Sequence, residues 1–258
     1  MAGMDTRALP QTCCSSPTLW LWAGQAVYLG PSLQLDFHSG SVLCFAAGVD
    51  APFTLRDKAS GQWCVRSAVV APRTVHRIES HGDRMLFAYF DPGASRAQAI
   101  LDRTVMRHGD IGLTLDTESA LMELASVPEP DPVAISECIR GPELLEIDER
   151  ILDAMEMVRG KPGAVGSAAD LAAAVNLSTS RFLHVFAAET GTSFRRYRLW
   201  ARMLHVGAAV AAGDDLTRAS IEAGFASPSH FSTAFHAMFG LSAVTLLGGG
   251  AQVIVMEL

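Results

Sequence analysis

The pattern of apolar and polar positions divides the chain into two differently built parts. From Trp20 to about Tyr89, short apolar runs such as "SVLCFAAGV" and "RMLFAYF" alternate with turns rich in Gly, Pro, Asp and Ser. This spacing is typical of an all-β sandwich or a small barrel. After Pro92, "ASRAQAILDRTV" and "TESALMELAS" carry apolar residues at intervals of three and four, which predicts helices. The proline- and acid-rich "VPEPDP" at 127–132 predicts the end of the first domain.

Beyond this break the pattern predicts helices only, beginning with "IDERILDAMEMVRG", which ends at Gly160. "GSAADLAAAVNLSTSRFLHVFAAETG" then predicts two short helices joined by a turn. Ser167 and Asp170 form a capping-box pattern that starts the first helix, and Ser178 caps the second. The second helix has an apolar stripe opposite a polar one: Phe182, Val185 and Phe186 against Ser180, Arg181 and His184.

The segment "LTRASIEAGFASPSHFSTAFHAMFG" repeats this design. We expect Thr217 to cap its first helix and Gly224 to end it. Ser227 caps the following helix, with Pro228 in the first turn. On that helix an apolar stripe faces a polar row: Phe231, Phe235 and Phe239 against Ser229, Thr233 and His236. The phenylalanines are expected to hold the helix down while the polar row contacts a partner.

A linking helix is predicted from about Ser193 to Ala212, with Arg195, Arg196 and Arg198 clustered at its start. With its "F-x-x-E-T-G" motif and the later "G-F-x-S-x-x-x-F-x-x-x-F-x-x-x-F-G", this order of elements resembles the DNA-binding domain of the AraC/XylS family of transcription regulators. The resemblance covers about residues 148–246. It predicts an α+β fold with four sections: a sensor and dimerisation domain at 1–132, a linker at 133–147, two helix-turn-helix units joined by a linking helix at 148–246, and a tail at 247–258.

The resemblance implies that the second helix of each unit enters the major groove of double-stranded DNA, in successive grooves about 34 Å apart. Ser180 and His184 would face bases from one helix, and Ser229 and Thr233 from the other. Arg181, His230 and His236 flank these rows. Arg195, Arg196, Arg198 and the helix caps, Ser227 among them, would position the DNA backbone. RNA polymerase, a small-molecule effector and a second copy of the chain are the further partners that the resemblance suggests.

Three departures from the family pattern bear on this prediction. Ala243 stands where the family usually has proline, and Gly207 lies inside the linking helix. The base-facing rows are also poor in arginine, glutamine and asparagine, the usual bidentate contacts to bases. We therefore expect DNA shape and phosphate contacts to contribute much of the specificity.

Composition modifies this picture in few respects. The net charge is −7, but residues 161–246 hold seven basic against five acidic side chains, a local excess of +2. No apolar stretch has the length of a membrane span and no secretion signal precedes the first strand, so we expect a cytoplasmic protein without membrane contact.

The five cysteines have no CxxC spacing, which argues against a disulfide framework or a zinc ribbon. The adjacent Cys13 and Cys14 could sense oxidants or soft metals, although two plain thiols is the favoured interpretation.

The first domain more loosely resembles the cupin-like sensor domain of many family members. A cupin barrel can hold a metal on histidines, so His38, His76 and His81 are candidates for an effector or metal site. Related domains carry further histidines at the positions that Ser39, Gly40 and Ser41 occupy here. We therefore make no firm prediction of a metal or a cofactor. The favoured alternative is an apolar effector pocket with His38 and His76 nearby, for which Trp20, Trp22, Trp63 and Phe87 could supply walls.

The sequence thus predicts a DNA-binding transcription regulator rather than an enzyme, since it contains no nucleophile elbow, phosphate-binding glycine loop or HExxH helix. One alternative is a metal-dependent cupin enzyme fused to a DNA-binding domain. Another is a protein–protein module whose helix-turn-helix no longer binds DNA.

Overall fold

The structure is a computed structural model that describes residues 16–82, 84–91, 94–141, 147–248 and 250–256. Cys13 and Cys14 lie outside these described residues. Among the helices described, none is both long and apolar enough to cross a membrane.

The amino-terminal part is built from strands, as the apolar runs predict. Their bounds are β1 (Thr18–Trp22), β2 (Gln25–Pro31), β3 (Leu43–Gly48), β4 (Phe53–Asp57), β5 (Gln62–Val65), β6 (Ser67–Val70), β7 (His76–Ser80), β8 (Arg84–Phe90), β9 (Thr104–His108), β10 (Ile111–Leu115) and β11 (Gln252–Val255). Within the described residues they form an eight-stranded sheet, in the order β11-β1-β2-β8-β3-β6-β10-β9, and a three-stranded sheet, β5-β4-β7. The strands at the two ends of the larger sheet do not pair with each other, so the expected cupin-like barrel is not closed.

Both faces of the central strands of the larger sheet are buried, which explains why these strands are continuous apolar runs rather than alternating ones. Along β2, Ala26 and Tyr28 point into one core, and Val27 and Leu29 point into a second core on the opposite face. The second core is closed by the first three helices of the chain. The first core contains the three-stranded sheet and, beside it, part of the carboxyl-terminal helices.

The helices are α1 (Ala94–Asp102), α2 (Glu118–Ser126), α3 (Pro132–Arg140), α4 (Glu149–Gly160), α5 (Ala168–Ala174), α6 (Thr179–Thr190), α7 (Phe194–Ala211), α8 (Leu216–Glu222), α9 (Pro228–Phe239) and α10 (Ala243–Gly248). Residues 133–140 of the predicted linker belong to α3, whose Ile135 and Ile139 are buried in the second core. The helix predicted in "ASRAQAILDRTV" stops at Asp102 because Thr104–His108 pairs with β10 in a hairpin.

The two helix-turn-helix units pack in different surroundings. Helices α4, α5 and α6 and the start of α7 form a third core of their own, centred on Phe182, Phe186 and Tyr197. Helices α8 and α9 instead share the first core with the sheet. Phe239 of α9 packs edge-on against Tyr89 of β8, with ring centroids 5.4 Å apart. The second unit is therefore buried against the amino-terminal part of the chain.

Residues Gln252–Val255 of the predicted tail form an edge strand of the larger sheet. Strand β11 pairs in parallel with β1, Thr18 opposite Gln252 and Leu21 opposite Val255. Because β11 follows the last helix in the chain, this pairing ties the end of the helical carboxyl-terminal part to the β-rich part.

Candidate DNA-binding surface and ligand cavity

The first helix-turn-helix unit folds as its caps predict. The Ser167 side chain accepts a hydrogen bond from the Asp170 amide, and the Asp170 side chain accepts one from the Ser167 amide, completing a capping box at the start of α5. Ser178 caps α6, which ends at Gly191 in the left-handed conformation. With Phe182 and Phe186 buried below, the polar stripe on the other side of α6 is exposed: Ser180, Arg181 and His184.

The second unit has the same design with one corrected cap. The side chain of Asp215, not of Thr217, accepts the hydrogen bond from the Arg218 amide that starts α8. Thr217 lies within the first turn of that helix and cannot cap it. Gly224 ends the unit's first helix at φ 88°, a conformation that favours glycine. Ser227 caps α9 through the His230 amide, with Pro228 at its first position, as predicted.

The polar row of α9 is exposed, and two of its histidines also have contacts within the chain. Ser229, His230, Thr233 and His236 are exposed, and Ser227 is half-buried. The ring of His230 accepts a hydrogen bond from the Ala226 amide through Nδ1 and packs edge-on against Phe225. His236 Nε2 lies 3.2 Å from Asp36 Oδ2, in the loop between β2 and β3.

That loop also binds the end of α9 and the start of α7. The Asp36 amide donates to the Gly240 carbonyl at 2.8 Å, and the Ser39 amide donates to the Ala237 carbonyl at 3.2 Å. The guanidinium of Arg196 donates to the Gly40 carbonyl and to Ser39 Oγ, both at 3.1 Å. The loop thus connects the β-rich part to both α7 and α9.

The three arginines at the start of α7 therefore have different surroundings. Arg195 is exposed, whereas Arg196 and Arg198 are half-buried. Arg198 donates to the Val165 carbonyl at 3.0 Å and its guanidinium lies over the Phe194 ring. Sequence reasoning missed these contacts because the partners of Arg196 are distant in the chain and lie in a loop without a distinctive motif.

The structure brings two of the three candidate sensor histidines together. The buried rings of His38 and His76 have centroids 4.3 Å apart, and the two residues pair through their backbones. His81 instead pairs with Thr54, with 2.7 Å between His81 Nε2 and Thr54 Oγ1. Within the part of the chain that the structure describes, no three histidine, cysteine, aspartate or glutamate side chains form a group that could hold a metal ion.

The environment of the histidine pair favours the uncharged form. Burial, followed by the charge of the neighbouring His38, lowers the pKa of His76 from its usual 6.5 to about 3. Burial also lowers the pKa of His38, and the nearby His236 adds to this effect. The pair therefore lies in the protein as two neutral imidazoles at the junction between the loop and strand β7.

An apolar cavity of about 80 Å³ lies where the second unit meets the sheet. Its walls come from β1, β2 and β8 on one side and from α7, α9 and α10 on the other. The phenylalanine stripe of α9, Phe231, Phe235 and Phe239, faces into it. Of the four aromatic residues proposed as pocket walls, only Phe87 lines this cavity; Trp20 and Trp22 lie in the second core, and Trp63 packs against His108.

Gly207, noted as unusual inside the linking helix, has a packing role beside this cavity. A Cβ atom at Gly207 would lie 2.6 Å from Leu21 Cδ1 in β1. The glycine therefore allows α7 to approach the sheet closely, and both residues line the cavity.

Comparison with known proteins agrees with this arrangement. A family described as a helix-turn-helix domain matches residues 171–247, which span both units and the linking helix. The carboxyl-terminal part of this chain is an AraC-type helix-turn-helix domain. A comparison with curated proteins gives no match.

Among solved structures, the AraC family regulator ToxT from Vibrio cholerae has a similar fold over nearly the whole chain. One ToxT structure shares 13% identity and a TM-score of 0.53, covering 88% of this chain and 98% of ToxT. An apo variant gives 15% identity and a TM-score of 0.57, with 87% and 97% covered. A structure of ToxT with a bound unsaturated fatty acid gives 15% identity and a TM-score of 0.53, with 86% and 94% covered.

The AraC-type domain explains the sequence pattern of both units. Its matched residues begin in α5 and end in α10, so they contain all the polar positions predicted to contact DNA. Helix α4, which we predicted as part of the same domain, lies before the matched range and packs in the third core against α6 and α7.

Proposed function

We propose that this chain is a sequence-specific transcription regulator that inserts α6 and α9 into successive major grooves of double-stranded DNA, about 34 Å apart. The observation that carries the proposal is the same on both helices. Each has an exposed polar row opposite an aromatic stripe that packs into a core, and both rows lie within the AraC-type domain.

The contacts divide by chemistry. Ser180, His184, Ser229 and Thr233 reach base edges, because they are exposed on the face of each helix opposite its aromatic stripe. Arg181, Arg195 and His230 reach phosphates or neighbouring base edges. Phosphate contacts hold the protein in register without selecting a sequence.

Three residues of the predicted contact set are given a different role. Arg196 donates hydrogen bonds to Ser39 and Gly40. Arg198 donates one to Val165, and His236 lies within hydrogen-bond distance of Asp36. They would have to release these partners to reach DNA. We therefore assign them to positioning α7 and α9 rather than to direct contact.

The cavity beside α9 is the effector site of this proposal. Its walls belong to both the β-rich part and the AraC-type domain, so a bound molecule would contact both at once. An effector changes transcription only if it binds one arrangement of these parts more tightly than another. The fatty-acid complex of ToxT supports the view that this fold can bind a small molecule.

RNA polymerase and a second copy of the chain are the protein partners that we propose, and the cytoplasm is the location that access to DNA requires. The alternative of a metal-dependent enzyme needs three or more ligands at one metal. His38 and His76 supply two, and His81 points to Thr54 instead.

Selection of bound duplexes from a random DNA pool, at near-physiological salt, tests the proposal. The full chain should enrich a site with two short blocks centred about ten base pairs apart. Failure of the well-folded protein to enrich any sequence would exclude specific DNA binding.

A further inference from the structure

The lining of the cavity beside α9 contains no charged side chain among the residues that the structure describes. Its polar groups are few: two are engaged, and the indole Nε1–H of Trp200 has no hydrogen-bond partner among the described residues. Tyr28 Oη donates a hydrogen bond to the Pro31 carbonyl at 3.0 Å, and the Tyr89 hydroxyl is hydrogen-bonded to the Cys44 thiol. A ligand in this cavity would meet carbon atoms on nearly every side.

We propose that the cavity binds a small uncharged hydrocarbon, of the size of one aromatic ring, and discriminates against carboxylates, fatty acids included. The inference rests on the proposed role of the cavity as the effector site and specifies the chemistry of the effector.

The exclusion of carboxylates follows from the missing cation. An ionised carboxylate that enters an apolar site without a charged partner loses hydration free energy that a single N–H donor does not replace. The tyrosines show the same penalty for negative charge. Burial raises the pKa of Tyr28 to about 12 and that of Tyr89 well above its usual value of 10.

A basic group does lie near the next opening in the surface, which shares Leu21 and Leu204 with the cavity and is lined in part by Arg159 and His205. Arg159, however, already forms an ion pair with Asp91, with 2.6 Å between Arg159 Nη1 and Asp91 Oδ2. Its charge is therefore committed to a buried carboxylate within the chain.

The size of the ligand follows from the volume. The cavity of about 80 Å³ is smaller than the roughly 150 Å³ apolar cavity that holds benzene in an engineered protein. Val210 and Phe235, which line it, are half-buried, and the proposal requires them to move outward to admit one ring. A long acyl chain would require displacement of the packed aromatic side chains.

The position of the cavity connects the ligand to DNA contact. Phe231 and Phe235 line it from the inner side of α9, and Ser229 and Thr233 lie on the outer side of the same helix. A ligand in the cavity would therefore contact the same helix that we propose to insert into one major groove.

The test compares matched neutral and charged ligands on the full chain. Thermal unfolding is measured with toluene, with benzoate and with oleate, each at the same free concentration. Toluene at about ten times its Kd should raise Tm by about 3 °C, whereas benzoate and oleate should leave it unchanged. Equal shifts with benzoate or oleate, or no shift with toluene, would overturn the proposal.

Three variants show whether the shift arises in this cavity. Ala26→Leu fills the cavity from β2 and should abolish the toluene shift, while Ala88→Leu, equally buried on the opposite face of the sheet, should keep it. Val210→Phe at the half-buried rim should also abolish it, and it serves if Ala26→Leu does not fold. Loss of the shift in Ala88→Leu alone would place the site in the second core and overturn the proposal.

DNA binding measured on the same samples separates this inference from the proposed function. Specific binding of a selected duplex, together with a carboxylate-induced shift, would contradict the ligand class and leave the regulator proposal intact. Absence of specific DNA binding would remove the proposed function on which the inference rests.

Discussion

Tyr197 in α7 donates a hydrogen bond to Asp91 at the end of β8, with 3.0 Å between Tyr197 Oη and Asp91 Oδ2. Arg159 of α4 binds the same carboxylate oxygen at 2.6 Å. Asp91 and Tyr197 are buried, and burial together with the nearby Asp91 raises the pKa of the Tyr197 hydroxyl well above its usual value. Helices α4 and α7, which pack with the first helix-turn-helix unit in the third core, are thus held to the end of β8 by a buried carboxylate.

Removal of this ion pair should destabilise the protein. Arg159→Ala leaves the Asp91 charge buried without its cationic partner, so we expect a loss of about 2 kcal/mol in the free energy of unfolding, less than for a fully buried pair because Arg159 is partly exposed. Arg150→Ala is the matched control, since the exposed Arg150–Asp148 pair has the same 2.6 Å separation. It should cost much less, because an exposed ion pair contributes little to stability. Equal losses in urea unfolding would contradict the proposed role of Asp91.

The corrected cap of α8 gives a second test. Asp215→Ala removes the side chain that accepts the Arg218 amide and should cost about 1 kcal/mol of stability. Thr217→Ala, two residues further on, should cost less than about 0.5 kcal/mol because Thr217 is exposed and does not cap the helix. A reversed order in thermal or urea unfolding would restore Thr217 as the cap.

The buried histidine pair predicts an acid-sensitive fold. Because the pKa of His76 is about 3 in the folded protein and near 6.5 when unfolded, the unfolded chain binds the proton more readily between these values. Stability should be fully present above pH 6.5 and fall as the pH decreases toward 3, by about 1.4 kcal/mol per pH unit from this group.

His76→Gln should therefore lose about 2 kcal/mol less stability than the wild type between pH 7.5 and pH 5, as measured by urea unfolding. The groups that face the pair, His38, His236 and Asp36, remain in the variant and are common to both measurements. His184→Gln, at an exposed position on α6, is the control and should keep the wild-type pH dependence. A wild-type pH dependence in His76→Gln would contradict the prediction.

The exposed rows of α6 and α9 should matter for DNA and not for stability. His184→Ala and Thr233→Ala each remove one of the proposed contacts to a base edge, so each should weaken binding to a selected duplex by about tenfold. Tm should stay unchanged because both side chains are exposed. Gln98→Ala, exposed on α1 of the amino-terminal part, is the control and should bind with wild-type affinity.

Local features of the fold could be predicted from the sequence, because they depend on residues a few positions apart. The capping box at Ser167, the caps at Ser178 and Ser227 and the buried stripe of α6 are of this kind. The prediction that Thr217 caps α8 was wrong, because both Asp215 and Thr217 are good capping residues near the start of the apolar pattern. Only backbone geometry distinguishes them.

The features that the sequence did not reveal depend on contacts between distant residues. The pairing of β11 with β1 joins residues more than two hundred positions apart, and "QVIV" alone does not specify a partner. Likewise, the phenylalanine stripe of α9 predicted a buried face, but not that part of this face would line a cavity against the sheet. His38 and His76 were proposed together, and the structure supports their proximity while His81 lies elsewhere.

The most direct test of paired DNA contact by α6 and α9 compares the affinities of the full chain for two duplexes. One is a selected duplex, and the other is the same duplex with five base pairs inserted between its two blocks. The insertion rotates the second block by about half a helical turn, which removes it from the face that the protein contacts. We predict that the insertion weakens binding at least about tenfold and that flanking insertions have no effect. Equal affinity for the two duplexes would contradict simultaneous insertion of both helices.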